Sequence, residues 1–270
     1  SSYYQTIQGY PSGGGSYVVS RENLGTYSGL LAAAALLIDY LLTSAVSISA
    51  GVDAIVSAFP QTQHLRLWMC FFILMIMTIA NLRGVRESSM VMSIPVFFFI
   101  FVYLVMIVFG LLKLITTGIT PYPNPLPLTT IPVTPFLILH AFSTGCTAIT
   151  GIEVISNGVP AFYPPERKNA GKTLIIMALL MVFLFIGSLC LTQWNAVLPI
   201  ENETILSALA RNLVGHGFFY YCIQIATILI LAIAANTSFA GFPRLAAILA
   251  NDSFLPRQLK QLGDRLVFQN

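Results

Sequence analysis

Ser143-Thr-Gly-Cys-Thr-Ala-Ile-Thr-Gly-Ile-Glu-Val-Ile-Ser-Asn157 decides how this chain is read. Apolar sequence flanks the stretch on both sides, yet it holds Gly145, Gly151, three threonines and the carboxylate of Glu153. A charge near the centre of a bilayer costs about 2.5–3.5 kcal/mol on insertion scales, so such a residue faces a protein interior or a wet cavity. Gly145 and Gly151 weaken helical continuity. Thr144, Thr147 and Thr150 recur every third residue, and Glu153 keeps the spacing. If the helix unwinds here, carbonyls and hydroxyls are released at mid-membrane, which is how discontinuous helices form cation sites in transporters. Three roles stay open for Glu153: balancing a cation, carrying a coupling proton, or bonding the freed backbone of the break.

The rest of the chain supplies the membrane. It has 270 residues, 56% of them hydrophobic and 9% charged, with a mean hydropathy of +0.81. A soluble domain averages about 25% charged residues, so an ordinary soluble protein is excluded. At roughly 20 residues per crossing, the apolar runs predict six transmembrane helices, at about 27–59, 67–80, 90–116, 136–162, 173–193 and 218–243. The fold class is therefore all-α integral membrane, with one transmembrane domain over 26–243, a polar loop over 1–25 and a basic tail or loop over 244–270. The chain opens with Ser1 in a Gly-rich segment, which reads as a fragment of a longer protein.

Charge sets the orientation. One side of the six spans collects Arg21, Arg83, Arg86, Arg167, Lys168, Lys172, Arg244, Arg257, Lys260 and Arg265, and the other only Arg66, Lys113 and Arg211. The bias puts residues 1–25 and 244–270 in the cytoplasm of a multi-pass cell-membrane protein. Basic residues confined to loops between spans are topology signals, so the net charge of +3 does not call for nucleic acid. The four cysteines lie in separate apolar runs, with neither metal-ligand spacing nor a disulfide framework. No nucleophile, base and orienting group cluster together, so an enzyme is not expected, nor a transition-metal site or a cofactor.

A second polar feature lies in the first span. At 100° per residue, Tyr40, Thr43 and Ser47 fall within about 60° of one another. This hydroxyl stripe either replaces part of the hydration shell of a monovalent cation or bonds backbone and neighbouring helices. Asp39 points about 100° away from Tyr40, toward a different contact, such as a basic residue near the cytoplasmic side. Asn236-Thr237-Ser238 forms a smaller cluster in the last span, which either faces the same cavity or lines a helix interface. Thr147, Asn236 and Ser238 are further cavity candidates.

With these residues in hand, the chain resembles the amino acid–polyamine–organocation (APC) superfamily of transporters. Asn81-Leu-Arg-Gly-Val-Arg-Glu87, Thr150-Gly-Ile-Glu-Val-Ile-Ser-Asn157 and Phe239-Ala-Gly-Phe-Pro-Arg244 carry the resemblance. Within it, Gly13-Gly-Gly-Ser-Tyr17, Ile38-Asp-Tyr-Leu-Leu-Thr43 through Ser47, Ser49-Ala-Gly51, Ser143 to Glu153 and Asn157-Gly-Val-Pro-Ala-Phe162 are similar to KimA-type potassium importers. The resemblance implies a LeuT-like inverted-repeat fold, of which the six spans look like helices three to eight. It implies a potassium site with Tyr40, Thr43 and Ser47 on one helix and Thr150 and Glu153 on a broken one. The ligands of the family's first helix have no counterpart in this sequence. A homodimer is suggested by the same likeness.

The expected function is secondary active transport, potassium uptake coupled to protons by alternating access. An amino acid or amine permease of the same superfamily is the alternative, and an inactive fragment or non-transporting membrane scaffold is a second.

Overall fold

In the computed structural model, residues 2–10, 15–82, 89–117, 132–146, 150–157, 159, 162–195, 197 and 203–260 are described. They form α1 (Ser2–Gly9), α2 (Gly15–Leu24), α3 (Thr26–Ala58), α4 (Arg66–Leu82), α5 (Ser89–Thr117), α6 (Pro135–Cys146), α7 (Glu153–Asn157), α8 (Glu166–Trp194), α9 (Ile205–Val214) and α10 (Phe218–Asn251). Five helical segments are long and apolar enough to cross a membrane: Thr26–Ala58, Pro60–Leu82, Met92–Thr116, Glu166–Trp194 and Phe218–Asn251. Backbone groups in lipid must be satisfied within the segment, which is why apolar runs of this length become helices.

The chain divides into two compact units, Ser1–Asp39 with Tyr122–Phe183, and Tyr40–Pro121 with Leu184–Asn270. In the first, α1 and α2 pack against α7. Their anchors are the buried Ile7 and Tyr17. Ile7, Val159, Ala170 and Leu174 form a small core, flanked by Tyr3, Ile152, Ile155, Phe162 and Met177. Gly25, at φ +90°, turns the chain from α2 into α3. Gly29 then lets α3 pass close to α2: a Cβ there would lie 2.7 Å from the Arg21 Cβ and 3.1 Å from its Cα.

The second unit is built on α5 and α10. Val102, Met106 and Ile107 of α5, Leu191 of α8, Leu209, Ala210 and Leu213 of α9, and Tyr220, Ile223 and Ala226 of α10 form its core. Gly110 and Gly187 admit the side chains of Leu191 and Ile107 to positions where a Cβ would crowd them, the small-residue packing usual between membrane helices. The Tyr220 hydroxyl donates to the Ser57 carbonyl at 3.1 Å and lies 2.7 Å from the Ser207 hydroxyl. Ser57 Oγ in turn accepts from the Thr204 N–H at 3.0 Å. Most of α4 stays exposed, including Leu67, Trp68, Phe71 and Phe72, as a lipid-facing helix should.

The three basic residues on the sparsely charged side are each engaged locally. Arg66 pairs with Asp53 at 2.7 Å, and Arg211 with Glu203 at 2.8 Å. Lys113 donates to the carbonyls of Asn212 and Leu213 at 3.2 Å, where the negative end of the α9 dipole favours a cation.

Several boundaries differ from the sequence reading. Residues 1–25, expected as a loop, contain α1 and α2, because Ile7 and Tyr17 find an apolar surface to bury against. The span expected at 136–162 carries the break expected of it: α6 ends at Cys146 and α7 starts at Glu153. The span expected from 173 begins at Glu166, one end of it charged. The tail expected from 244 is helical to Asn251, since α10 runs through Pro243 and buries Leu245, Ala246, Leu249 and Ala250 beyond it. A proline interrupts one backbone hydrogen bond, which packing of these residues outweighs. The amphipathic α9 was not foreseen, being too short for a span.

A broken helix with two carboxylates

Gly151, at φ +89°, sits in the left-handed region that other residues adopt with strain. It lies in a turn at the interruption, two residues before α7. Gly145, expected at the break as well, is inside the last turn of α6 and remains helical. Thr147 lies outside the described residues. Thr144 donates to the His140 carbonyl of its own helix at 2.9 Å.

Glu153 opens α7 and is 5% exposed. Its carboxylate lies close to its own backbone N–H and to that of Gly151. It is thus placed beside N–H groups that the break leaves without helical partners. Ser156, also buried, donates to the Glu153 carbonyl at 2.8 Å.

Thr150 Oγ1 donates to Asp39 Oδ2 at 2.9 Å. The carboxylate of Asp39 therefore joins the broken segment, close enough to Glu153 for the two to interact electrostatically. The expectation that Asp39 serves a basic residue is corrected: its described partner is a threonine of the break. Two carboxylates and a hydroxyl gathered at a helix interruption make an electronegative site made of hard oxygens, chemistry that suits a monovalent cation or a proton. Sequence periodicity showed which way Asp39 points along α3 but not which segment it meets.

In the second unit, Tyr40 is 6% exposed and its ring packs on Gly241 of α10, where a Cβ would lie 3.1 Å from Cε1 and Cζ. Ser47 is buried and Thr43 half-buried. A cavity of about 790 Å³ between α3, α4 and α10 is lined by Tyr40, Ser44, Ser49, Cys70, Ser238 and Phe242 among others. Thr43 and Ser47 do not line it. Ser44 was missed as a site residue, yet it is buried and donates to the Ala235 carbonyl at 3.3 Å. Ser238 does line the cavity. Asn236 instead accepts at 2.7 Å from Asn81, an interhelical clamp between α10 and α4. Among the described residues no group of three His, Cys, Asp or Glu side chains is placed to hold a metal ion.

The sequence profile of the family described as "Amino acid permease" matches residues 2–266. The chain belongs to the amino acid permease family. With its five long apolar helices, it is a multi-pass membrane protein with a membrane-transporter fold. It is 46% identical over 271 residues to the potassium transporter KimA of Bacillus subtilis (strain 168). That alignment covers all of this permease-family chain and 45% of the relative. The chain thus spans less than half the length of the curated relative it matches.

Proposed function

We propose that the chain carries part of a potassium-uptake transporter that works by alternating access and couples uptake to protons. The observation that carries this reading is the cluster of Asp39, Thr150 and Glu153 at the Gly151 interruption. Two carboxylates close together repel when both are ionised. A proton on one carboxylate and a potassium ion on the other relieve that repulsion together, so the two can cross in one step. A proton held by Glu153 would leave the Asp39 carboxylate to pair with potassium, and both would be released on the cytoplasmic side. The identity to KimA supports potassium as the ion. For Tyr40, Thr43 and Ser47 the proposed role as further oxygen ligands rests on the family resemblance and on their hydroxyl chemistry.

Potassium and a coupling proton suffice for this activity without a cofactor. The orientation with residues 1–25 and 244–270 in the cytoplasm follows from the charge bias, and a homodimer from the resemblance. The deciding experiment is uptake in a cell lacking its own potassium transporters. Growth on limiting potassium, with loss of growth in Glu153→Gln, supports the reading. No growth above that of cells lacking the protein, or growth unchanged in Glu153→Gln, contradicts it.

A second reading, transport of an amino acid or amine, is favoured by the family description itself. Radiolabelled amino acid uptake that potassium does not compete with would select it.

A further inference from the structure

The start of α8 holds a feature that ion transport does not use. Arg167, Lys168 and Lys172 line a cavity of about 520 Å³ together with Tyr4, Gln8 and Glu166. All three cations are exposed, and no ion pair ties any of them to a carboxylate among the described residues. Glu166 leaves the three positive charges in excess. After Lys172 the helix carries no charge as far as Trp194, so the cluster sits where an apolar span meets water.

The other wall is α1. Gly171 lets the Tyr4 ring close over α8, where a Cβ would lie 2.8 Å from Cε2. The buried Ile7 holds α1 in place. Ile175, one turn below the cations on the same side of α8, also lines the cavity and is 50% exposed. The cavity therefore offers cations at its mouth and an apolar side chain toward the lipid. The N-terminal dipole of a 29-residue helix adds to the positive field.

We propose that this cavity holds the headgroup of an anionic phospholipid, with its acyl chains running down α8 past Ile175. Basic pockets at the membrane interface bind such headgroups, and each nearby cation contributes. A soluble phosphate would use the cations but not the apolar descent at Ile175, so the lipid is the better match.

The test uses the intact purified protein in detergent, titrated with phosphatidylglycerol, with phosphatidylcholine, or with glycerol 3-phosphate as the soluble headgroup. Thermal unfolding and lipid retention in native mass spectrometry are read in parallel. Phosphatidylglycerol is expected to raise the unfolding midpoint and to be retained, and the other two are not. Arg167→Gln with Lys168→Gln and Lys172→Gln should abolish both effects, and each single change should weaken apparent affinity roughly fivefold. Arg257→Gln with Lys260→Gln, on the tail, should leave them unchanged. Equal effects from phosphatidylcholine or from glycerol 3-phosphate overturn the proposal. So does retention of the effect in the triple variant, or equal loss in the tail variant. If the triple variant does not fold, Lys172→Gln alone decides: unchanged phosphatidylglycerol affinity overturns the assignment.

Discussion

The hydroxyl of Thr150 donates to the carboxylate of Asp39 across 2.9 Å, joining α3 to the interrupted segment that begins α7. This bond fixes a second carboxylate beside Glu153 and turns a break in a helix into an electronegative site. A hydrogen bond to a charged group contributes about 1.5–3 kcal/mol. Thr150→Val and Asp39→Asn should each lower uptake. Because they break the same contact, the double variant should be little worse than the more damaging single one. Rubidium uptake into proteoliposomes checks this; fully additive losses would show that the two residues act separately.

Glu153 is expected to do two things that a substitution can separate. Glu153→Gln keeps one acceptor for the N–H groups of Gly151 and Glu153 but removes the charge. It should lower uptake at least tenfold and flatten its dependence on external pH, with little change in the unfolding temperature. Glu153→Ala removes that acceptor as well and should lower the unfolding temperature too. If Glu153→Gln unfolds like Glu153→Ala while its surviving flux keeps the parent pH profile, the residue is a lock for the break alone.

Tyr40 is held by contact with Gly241. Gly241→Ala would push the ring by a few tenths of an ångström to make room for the Cβ that now meets it at 3.1 Å. Uptake titrations should show a higher potassium concentration for half-maximal flux in both Gly241→Ala and Tyr40→Phe. Thr43→Val with Ser47→Ala should shift it in the same direction. An unmoved titration curve in all three would mark the stripe as structural.

Gly29→Ala tests the packing of the first unit without touching the site. The new Cβ would meet the Arg21 Cβ and backbone rather than a flexible side-chain end. Overpacking of this kind costs typically about 1–3 kcal/mol. A thermal unfolding scan should record a drop of several degrees; no change would show that α2 and α3 can move apart freely.

The sequence showed the break before the structure did, because Gly151 and a carboxylate in apolar surroundings are local signals. Asp39 was visible as an anomaly but was assigned to the wrong contact. Helical periodicity gives a direction around one helix, whereas the partner, Thr150, is 111 residues away in the chain. For Asn236, polarity within a span marked either a cavity or a helix interface, and its oxygen meets Asn81 of α4. α1, α2 and α9 escaped because a hydropathy window finds spans, not short helices that bury one residue, such as Ile7, or a few, such as Leu209, Ala210 and Leu213. The last span was expected to end at 243, but α10 passes Pro243, whose missing donor is a local cost that the buried residues after it override.

The central claim is that Glu153, with Asp39 and Thr150, binds potassium together with a coupling proton. Rubidium uptake by the intact protein in proteoliposomes, measured against external pH and challenged with potassium or with amino acids, tests it most directly. The account expects uptake that potassium suppresses, that amino acids leave alone, and whose pH dependence disappears in Glu153→Gln. Uptake of an amino acid unaffected by potassium, or a pH profile unchanged in Glu153→Gln, would contradict it.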